Sequence, residues 1–324
     1  MDPKISVIIP THYRNELLPE AIESVLQQEY DPVELVVVDD SGEGHAEPVL
    51  EEYEEVIDRA IIRDENGGWN AAFTTGIAAS TGEYVQFLDD DDWLLEGKLT
   101  KTARVLDENP EVGVSYCGAH RSDGPHYPRP EVCGDILEHA LRFKVFPLWT
   151  ASMLMERAVL EDCLPLAGLA DGDDLDIELG DTNLIIELAR RTKFDYVDEC
   201  LAYYRRKTSS KWVGLRKFRK IKQNVEYQQE LYDQYPDIKR AVFAEWYEKQ
   251  GSAYLKTRPW SPRATLCFAK SAYYADDNWV PKVVLTGTSL LGRPGVNFAI
   301  RLRDKVFGEP QGNPPEGNPV PDHG

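Results

Sequence analysis

The sequence is poor in cysteine, in positive charge and in long apolar runs. Its 324 residues include five cysteines, which are widely spaced and form no CxxC pair, so neither a zinc knuckle nor a secreted disulfide framework is indicated. No stretch approaches the roughly 20 apolar residues that a membrane-spanning helix needs. The N-terminus, MDPKISVIIP, lacks the features of a signal peptide. We therefore expect a folded protein of the reduced cytoplasm.

The deficit of positive charge is large. There are 36 Lys and Arg residues against 56 Asp and Glu residues, which gives a net charge of -20. A field this negative repels phosphate backbones, so we expect no nucleic-acid partner, and an acid-rich surface of this kind is typical of proteins that work in high salt. The hydrophobic share of 42% is sufficient for the core of one large domain or a domain and a half.

Strands and helices alternate over the first hundred residues. Apolar patterning predicts strands at 5–9, 35–38, 60–63 and 83–88, and helices at 15–28, 48–56 and 69–79. This alternation indicates a largely parallel sheet that is covered on both faces. Because ligands bind just beyond the carboxyl ends of such strands, we expect a site at 11–14, 39–40 and 89–92.

The remainder of the chain changes character twice. Residues 111–204 are mixed, and from about Leu215 the pattern is helical. Aromatic residues are expected to pack where these helices cross: Trp246, Tyr247, Tyr254, Trp260, Phe268, Tyr273, Tyr274 and Trp279. We assign an α/β domain to 1–214, a helical region to 215–307 and a disordered tail, rich in Pro, Gly and Asn, to 308–324.

Four consecutive aspartates, 89–92, directly follow the predicted strand at 83–88. An acid run is often only a solvated surface. At the end of a buried strand, however, four carboxylates repel one another, and burying them costs free energy unless a cation is present. Hard divalent cations take oxygen ligands and share them with substrate phosphates. The run therefore predicts a metal-diphosphate site.

The pair Asp39 and Asp40 is open to two interpretations. Aspartate before Ser41 and Gly42 can form a turn, and it can equally bind a nucleobase or a ribose. Neither standard nucleotide loop is present, since the chain has no GxxxxGK[ST] and no three-glycine dinucleotide fingerprint. Phosphate charge must therefore be neutralised by metal and basic side chains.

Three segments, SVIIPTHYRNELLPEAIESVLQQEY, ELVVVDDSG and DENGGWNAAFTTGIAASTGEYVQFLDDDDW, resemble in order the signatures of family 2 glycosyltransferases. The resemblance is strong over 4–105 and moderate over 145–206. It implies the GT-A fold, a doubly wound mixed α/β sheet, here with a C-terminal helical extension. It also implies that the donor contacts come from Pro10, Thr11, His12, Arg14, Asp39, Asp40, Asn66, Gly67, Asp89 and Asp90. The metal ligands would be Asp89 and Asp91 of a DxD motif.

The segment GDTNLIIELARRTKFDYVDECLAYYRR resembles the block that carries the catalytic carboxylate of the family. Asp181 then stands at the position of the general base, and Gly180 replaces the acid that often precedes it. The alternative is that Asp181 caps the following helix, and both roles are compatible. Three other acids compete for the role of base: Asp173, Asp174 and Glu178.

Two departures from the family pattern concern charge. Phe73 and Thr74 stand where the family often has Arg-Asn, and Lys207 stands where it often has His. The stretch 205–222 holds nine basic residues and no acidic ones. It is either a solvated helix face or a contact for phosphate or anionic lipid.

The resemblance implies an inverting transferase that uses Mn2+ or Mg2+ and a nucleoside-diphosphate sugar, with UDP as the expected nucleotide. We expect the acceptor to be a glycan, carried on a polyprenyl phosphate at the cytoplasmic membrane face, in surface-protein glycosylation or polysaccharide assembly. Residues 205–222 would supply a peripheral membrane contact. The alternatives are a non-catalytic nucleotide-sugar-binding protein and a sugar-1-phosphate nucleotidyltransferase, although 11–16 lacks the glycines of a nucleotidyltransferase loop.

Overall fold

The computed structural model describes residues 2–166, 180–205, 221–275 and 279–307. The chain divides into two compact units, residues 1–207 and 208–324. The first unit is α/β and the second is helical. The predicted tail at 308–324 lies outside the described residues.

One sheet of nine strands forms the centre of the described part of the first unit. The strands are β1 (Ile5–Thr11), β2 (Val33–Asp39), β3 (Arg59–Ile62), β4 (Tyr84–Phe87), β5 (Trp93–Leu94), β6 (Val112–Arg121), β7 (Gly124–His126), β8 (Met153–Glu156) and β9 (Lys193–Tyr203). They lie in the order β3-β2-β1-β4-β8-β6-β9-β5, and β7 pairs with β6.

The sheet is mixed in direction. Strands β1 to β4 are parallel to one another, and β9 is parallel to β6. Strand β8 is antiparallel to both β4 and β6, and β5 is antiparallel to β9. The α/β class and the mixed sheet are thus as the resemblance implied.

The helices of this unit are α1 (Leu18–Leu26), α2 (Glu47–Glu52), α3 (Gly68–Ala79), α4 (Lys98–Glu108), α5 (Leu137–Leu141), α6 (Arg157–Glu161) and α7 (Gly180–Ala189). The central strands are buried on both faces, as Ile8, Val37 and Phe87 are fully buried. Burial on both faces explains why their sequences are continuous apolar runs and do not alternate. Helices α1 and α2 are shorter than the predicted ranges 15–28 and 48–56, and α3 agrees with the predicted 69–79 to within one residue.

The second unit consists of helices in its described part. After a helical stretch at 221–227 come α8 (Gln229–Gln234), α9 (Pro236–Thr257), α10 (Pro262–Tyr274), α11 (Trp279–Ser289) and α12 (Gly292–Phe307). Their shared core includes Leu255, Phe268 and Leu285. A Cβ on Gly251 would lie 2.9 Å from the Phe268 ring, so the glycine permits close packing of α9 on α10.

The packing prediction for the aromatic residues is right in part. Trp246 and Phe268 are buried, but Trp260, Tyr273 and Trp279 are 55%, 73% and 53% exposed. For Tyr273 and Trp279 the prediction is wrong, because helical spacing fixes which residues share a face and not whether another helix covers it. Trp260 lies in the connection between α9 and α10 and contacts the turn after α11 through its indole N–H. Among the described helices, none combines the length and the apolarity required to cross a bilayer.

Candidate functional site

The ends of four parallel strands lie side by side in the first unit. In the sheet register Thr11 of β1 pairs with Asp39 of β2, which in turn pairs with Ile62 of β3. Strand β4 lies on the other side of β1, with Phe87 paired to Ile8. The residues that follow these strands therefore meet at one edge of the sheet, as the alternation of strands and helices predicted.

Asp40 holds the start of α3. Its two carboxylate oxygens accept hydrogen bonds from the backbone N–H groups of Gly67 (3.0 Å) and Gly68 (2.7 Å). The Nε of Arg63 lies 2.7 Å from one of these oxygens. A carboxylate is stabilised at a helix N-terminus, where backbone N–H groups lack partners within the helix. Asp40 is thereby fixed, with 4% of its surface exposed.

Asp39 forms the turn that was one of its two predicted roles. Its carboxylate accepts hydrogen bonds from the backbone N–H groups of Ser41 (2.9 Å) and Ala46 (2.8 Å), and the residue is completely buried. It shapes the loop between β2 and α2, and it has no surface open to a ligand in this structure. Its predicted contact with the donor is thus restricted to an indirect one, through the position of Asp40.

Three predicted donor contacts lie at the end of β1 and just beyond it: Thr11, the last residue of the strand, then His12 and Arg14. The His12 ring nitrogen Nε2 lies 2.8 Å from the side-chain nitrogen of Asn66, so two residues predicted to bind the donor are brought together. The chain turns at Tyr13, whose φ is +56°. Beyond this turn, Arg14 reaches the acidic run.

The acidic run contains more negative charge than its surroundings neutralise. Arg14 Nη1 lies 2.5 Å from Asp90 and 3.1 Å from Asp91. Burial, with the charges of Asp91 and Asp90, raises the pKa of Asp89 to about 7. Burial also raises the pKa of Asp92 to about 9, with Asp89 as the next cause. One carboxylate oxygen of Asp92 is buried without a hydrogen-bond partner among the described residues.

These carboxylates fit a hard divalent cation, since they are close together, incompletely neutralised and rich in oxygen. Asp89 and Asp91 are the residues that would hold it. In the described part of the chain, no three His, Cys, Asp or Glu side chains converge as a complete set of ligands. The remaining ligands would therefore come from the substrate or from water, as is usual for Mg2+.

Asp181 lies at the beginning of α7, which starts at Gly180 with a φ of +60°. Its carboxylate accepts a hydrogen bond of 2.8 Å from the N–H of Thr182. The charge of Asp181 contributes to the raised pKa of Asp89, so the fold brings this carboxylate near the acidic run. The competitors Asp173, Asp174 and Glu178 lie outside the described residues, as do Lys207 and most of the 205–222 stretch.

A cluster of three aromatic side chains, Phe146, Trp149 and Tyr204, lies beside these acids. The Tyr204 ring stacks on Trp149 with 5.4 Å between centroids, and Trp149 also meets the ring of Phe146 at 5.0 Å. Burial, then the charges of Asp92 and Asp181, raise the pKa of Tyr204 to about 12. The sequence interpretation missed this group, because its members come from distant segments and share no local pattern.

Arg63 and Trp69 were also missed. Arg63 directly follows β3, so the rule that strand ends share an edge could have identified it. Trp69 donates its indole N–H to Asp89 at 3.2 Å, a contact for which the sequence gives no signal. Phe73, at one of the family departures, is completely buried and stacks on Phe87 at 4.1 Å.

Comparison with known sequences identifies the family. The Glycosyl transferase family 2 profile matches residues 6–164. Glycosyltransferase GlyA of Streptococcus pneumoniae is 31% identical over 130 residues, which is 39% of this chain and 19% of that protein. A GalNAc(5)-diNAcBac-PP-undecaprenol beta-1,3-glucosyltransferase of Campylobacter jejuni is 35% identical over 109 residues, 33% of this chain and 35% of that protein. The matches thus span well under two thirds of these relatives.

Solved structures share the fold over most of the chain. TarS 1-349 of S. aureus, in complex with UDP-GlcNAc, has a TM-score of 0.56 at 15% identity, covering 94% of this chain and 91% of that one. The mannosyltransferase PcManGT of Pyrobaculum calidifontis, with GDP-Man and Mn2+, has a TM-score of 0.57 at 18% identity, covering 95% and 89%. Through residues 6–164, and with the GT-A fold, the chain belongs to the family 2 glycosyltransferases.

Proposed function

We propose that this protein transfers a sugar from a nucleoside-diphosphate sugar to a hydroxyl group of an acceptor, with inversion at the anomeric carbon. The observation that carries the proposal is that Asp40 and the run 89–91 follow strands of one parallel set and so share an edge of the sheet, with the charge of Asp181 acting on Asp89. The bound UDP-GlcNAc of TarS and the bound GDP-Man of PcManGT support a nucleotide-sugar donor.

The nucleotide would lie along the ends of β1 and β2. Asp40 is held rigidly by Gly67, Gly68 and Arg63, and a fixed carboxylate can accept from the imide N–H of a base. His12 and Asn66 offer polar atoms beside it. We take UDP as the nucleotide, because uracil presents such an N–H.

The diphosphate would lie over the acidic run. Asp89 and Asp91 would hold Mn2+ or Mg2+, which supplies positive charge against the negative charge that develops on the leaving diphosphate. Arg14 neutralises only part of the run, at 2.5 Å from Asp90 and 3.1 Å from Asp91. Its guanidinium keeps the neighbouring carboxylates in place when the donor is absent.

Asp181 acts as the general base. The acceptor oxygen attacks the anomeric carbon from the face opposite the diphosphate, and the C–O bond to the diphosphate breaks with its electron pair. The acceptor proton passes to the Asp181 carboxylate. A single displacement of this kind inverts the configuration. The position of Asp181 near Asp89 supports the role, since base and donor must lie on either side of one sugar ring.

We infer that the acceptor is a glycan, because the aromatic faces of Trp149 and Tyr204 beside Asp181 suit the apolar face of a sugar ring. A polyprenyl-phosphate carrier is supported by the name of the Campylobacter relative, which acts on an undecaprenol-linked glycan. The predicted cytoplasmic location and the adaptation to high salt belong to the same hypothesis.

The test is a screen of the full chain against UDP- and GDP-sugars, with and without Mn2+, by thermal shift and by release of nucleoside diphosphate. We expect a UDP-sugar to bind and be turned over only with the metal. Asp91→Asn should abolish both effects, while Asp198→Asn, at an exposed position of β9, should preserve them.

Three other outcomes would each contradict a part of the proposal. Full turnover by Asp91→Asn would contradict the metal assignment. Binding without turnover of any acceptor or water would indicate a non-catalytic protein. Formation of a nucleotide sugar from a sugar 1-phosphate would indicate a nucleotidyltransferase.

A further inference from the structure

Helix α11 presents an apolar face to solvent. In this helix, which the structure describes throughout, the exposed residues are Trp279, Val280, Val283, Val284 and Gly287. None of the five is charged, and the indole N–H is their one polar side-chain group. A surface helix of a globular protein normally turns polar residues to water. In α11 the exposed side is the apolar one.

Further apolar residues are exposed in the turn after α11 and in α12. Leu290 and Leu291 in the turn are 63% and 74% exposed, and Phe298 of α12 is 65% exposed. The indole N–H of Trp260 donates to the carbonyl of Leu290 at 3.2 Å, which ties this turn to the start of α10. We define the apolar face as Trp279, Val280, Val283, Val284, Leu290, Leu291, Phe298 and Leu302.

The concentration of such residues is not general to the protein. Of the 17 large hydrophobic residues that are exposed in the described chain, 11 lie between Trp260 and Leu302. Scattered exposed apolar residues are normal on a protein surface, but a concentration of this kind in one short segment indicates an interaction site. The question is therefore what covers it.

Charge identifies the occupant. Residues 279–302 include three basic residues, Lys282, Arg293 and Arg301, and no acidic residue, in a chain of net charge -20. Lys282 forms an ion pair of 2.7 Å with Glu248, so the exposed charge of this segment is that of Arg293 and Arg301. Lys and Arg beside an apolar helix face are typical of helices that lie in the interface of an anionic bilayer. A second copy of the segment would bring like charges together.

We propose that the apolar face docks the protein on an anionic lipid bilayer. The helices would lie flat, with the valine and leucine side chains about 5–10 Å into the headgroup and acyl boundary. Trp279 would lie at the interface, where an amphipathic ring is favoured. This surface is distinct from the 205–222 stretch, and docking requires neither donor nor catalysis, so it can be tested whether or not the transfer activity is found.

The experiment is co-sedimentation of the full chain with phosphatidylcholine vesicles containing about one third phosphatidylglycerol, at ~0.15 M salt. The test variant is Leu290→Glu with Leu291→Glu. The matched control is Leu26→Glu with Val56→Glu, which adds the same charge at positions 47% and 40% exposed in the first unit. Thermal melting of each full chain confirms that the variants fold.

We expect the unmodified chain and the control to pellet with anionic vesicles and the test variant to bind at least about tenfold more weakly. Lipids brominated on the acyl chains should quench tryptophan fluorescence, and Trp279→Phe should reduce that quenching. Absence of binding by the unmodified chain, or equal loss in the control, would overturn the proposal. So would a dimer that the test variant abolishes without lipid binding, which would make the face an interface between copies.

Discussion

The carboxylate of Asp92 accepts a hydrogen bond of 2.8 Å from the backbone N–H of Arg205, 113 residues away in the sequence. The Arg205 side chain donates to the carbonyl of Asp91 at 3.1 Å and lies 5.1 Å above the ring of Trp93. The segment after β9 thus holds the C-terminal side of the acidic run, while Arg14 contacts Asp90 and Asp91. Arg14 and Arg205, which come from opposite ends of the first unit's sequence, therefore hold the crowded carboxylates in place.

Replacement of Asp92 tests this connection. Asp92→Ala leaves the N–H of Arg205 without its acceptor at a partly buried position, so we expect the free energy of unfolding to fall by about 1 kcal/mol. Denaturant titration of the full chain measures the change. Asp198→Ala, exposed on β9, should change it by less than about 0.5 kcal/mol. Equal stability of the two variants would show that the contact is not important for the fold.

Asp181→Asn separates catalysis from donor binding. Because the amide cannot accept the acceptor proton, we expect kcat to fall by about 10^2–10^4. The Kd of the donor should remain within about twofold, since the proposed donor contacts lie on Asp40 and the acidic run. Single-turnover kinetics and calorimetry give the two values. A variant with the unmodified rate would assign the base to another residue, and a variant with weakened donor binding alone would place Asp181 in the donor site.

Asp39 and Asp40 are adjacent, but they should respond differently to the same substitution. Asp39→Asn disturbs the bonds to the N–H groups of Ser41 and Ala46, so we expect a loss of stability of about 1–3 kcal/mol and a change in donor Kd below about threefold. Asp40→Asn should weaken donor binding by about tenfold, because a neutral amide loses the charge opposite Arg63 and a charge-assisted acceptor for the base. The reverse pattern would move the nucleotide contact to Asp39.

Lys98 gives a pH dependence that is independent of the site. Its ammonium group is completely buried and donates to the side-chain oxygen of Gln86. Burial lowers the pKa of Lys98 to about 8. The unfolded chain therefore binds more protons than the folded one above pH 8, and stability from this residue rises with pH there. Between about pH 8 and 9 we expect a gain of about 1 kcal/mol.

The control for Lys98 is Lys98→Met, which removes the titrating group and keeps the length of the side chain. Denaturant titrations at several pH values give the free energy of unfolding of each chain. Other titrating groups contribute equally to both chains, so we expect this free energy to rise more steeply with pH in the unmodified chain than in Lys98→Met. Cysteine thiols of the unfolded chain, with an ordinary pKa of about 8.5, ionise within this window in both chains, and tyrosines follow at about pH 10. The comparison of the two chains therefore isolates Lys98. An identical slope in both chains would contradict the assignment.

Much of the fold could be predicted because the relevant signals are local. The β-branched runs of β1, β2 and β4 identify buried parallel strands, and the residues after each run, Asp40 and the aspartates at 89–92, then belong to one edge. The observed ends of the strands and helices differ from the predicted ones by a few residues, because packing decides where an element ends and composition does not. The roles of the individual site residues stay predictions.

The helical unit shows where patterning is insufficient. Trp246 and Trp279 both lie in helices with apolar spacing, yet the first is buried and the second is 53% exposed. Spacing determines the direction of a face relative to its own helix axis. Whether a neighbour covers that face depends on contacts between segments that are distant in sequence, and these leave no mark on the local pattern.

The sequence by itself determined the family, the α/β class, the acidic run at the end of β4 and the large excess of negative charge. Only the tertiary structure decided that Arg205 holds Asp92, that Trp149 and Tyr204 stack beside Asp181, and that α11 faces solvent with its valines. The physical reason is the range of the interactions. Strand runs and turns depend on neighbours along the chain, whereas these contacts require the pairing of β6, β8 and β9 and the stacking of helices across long separations.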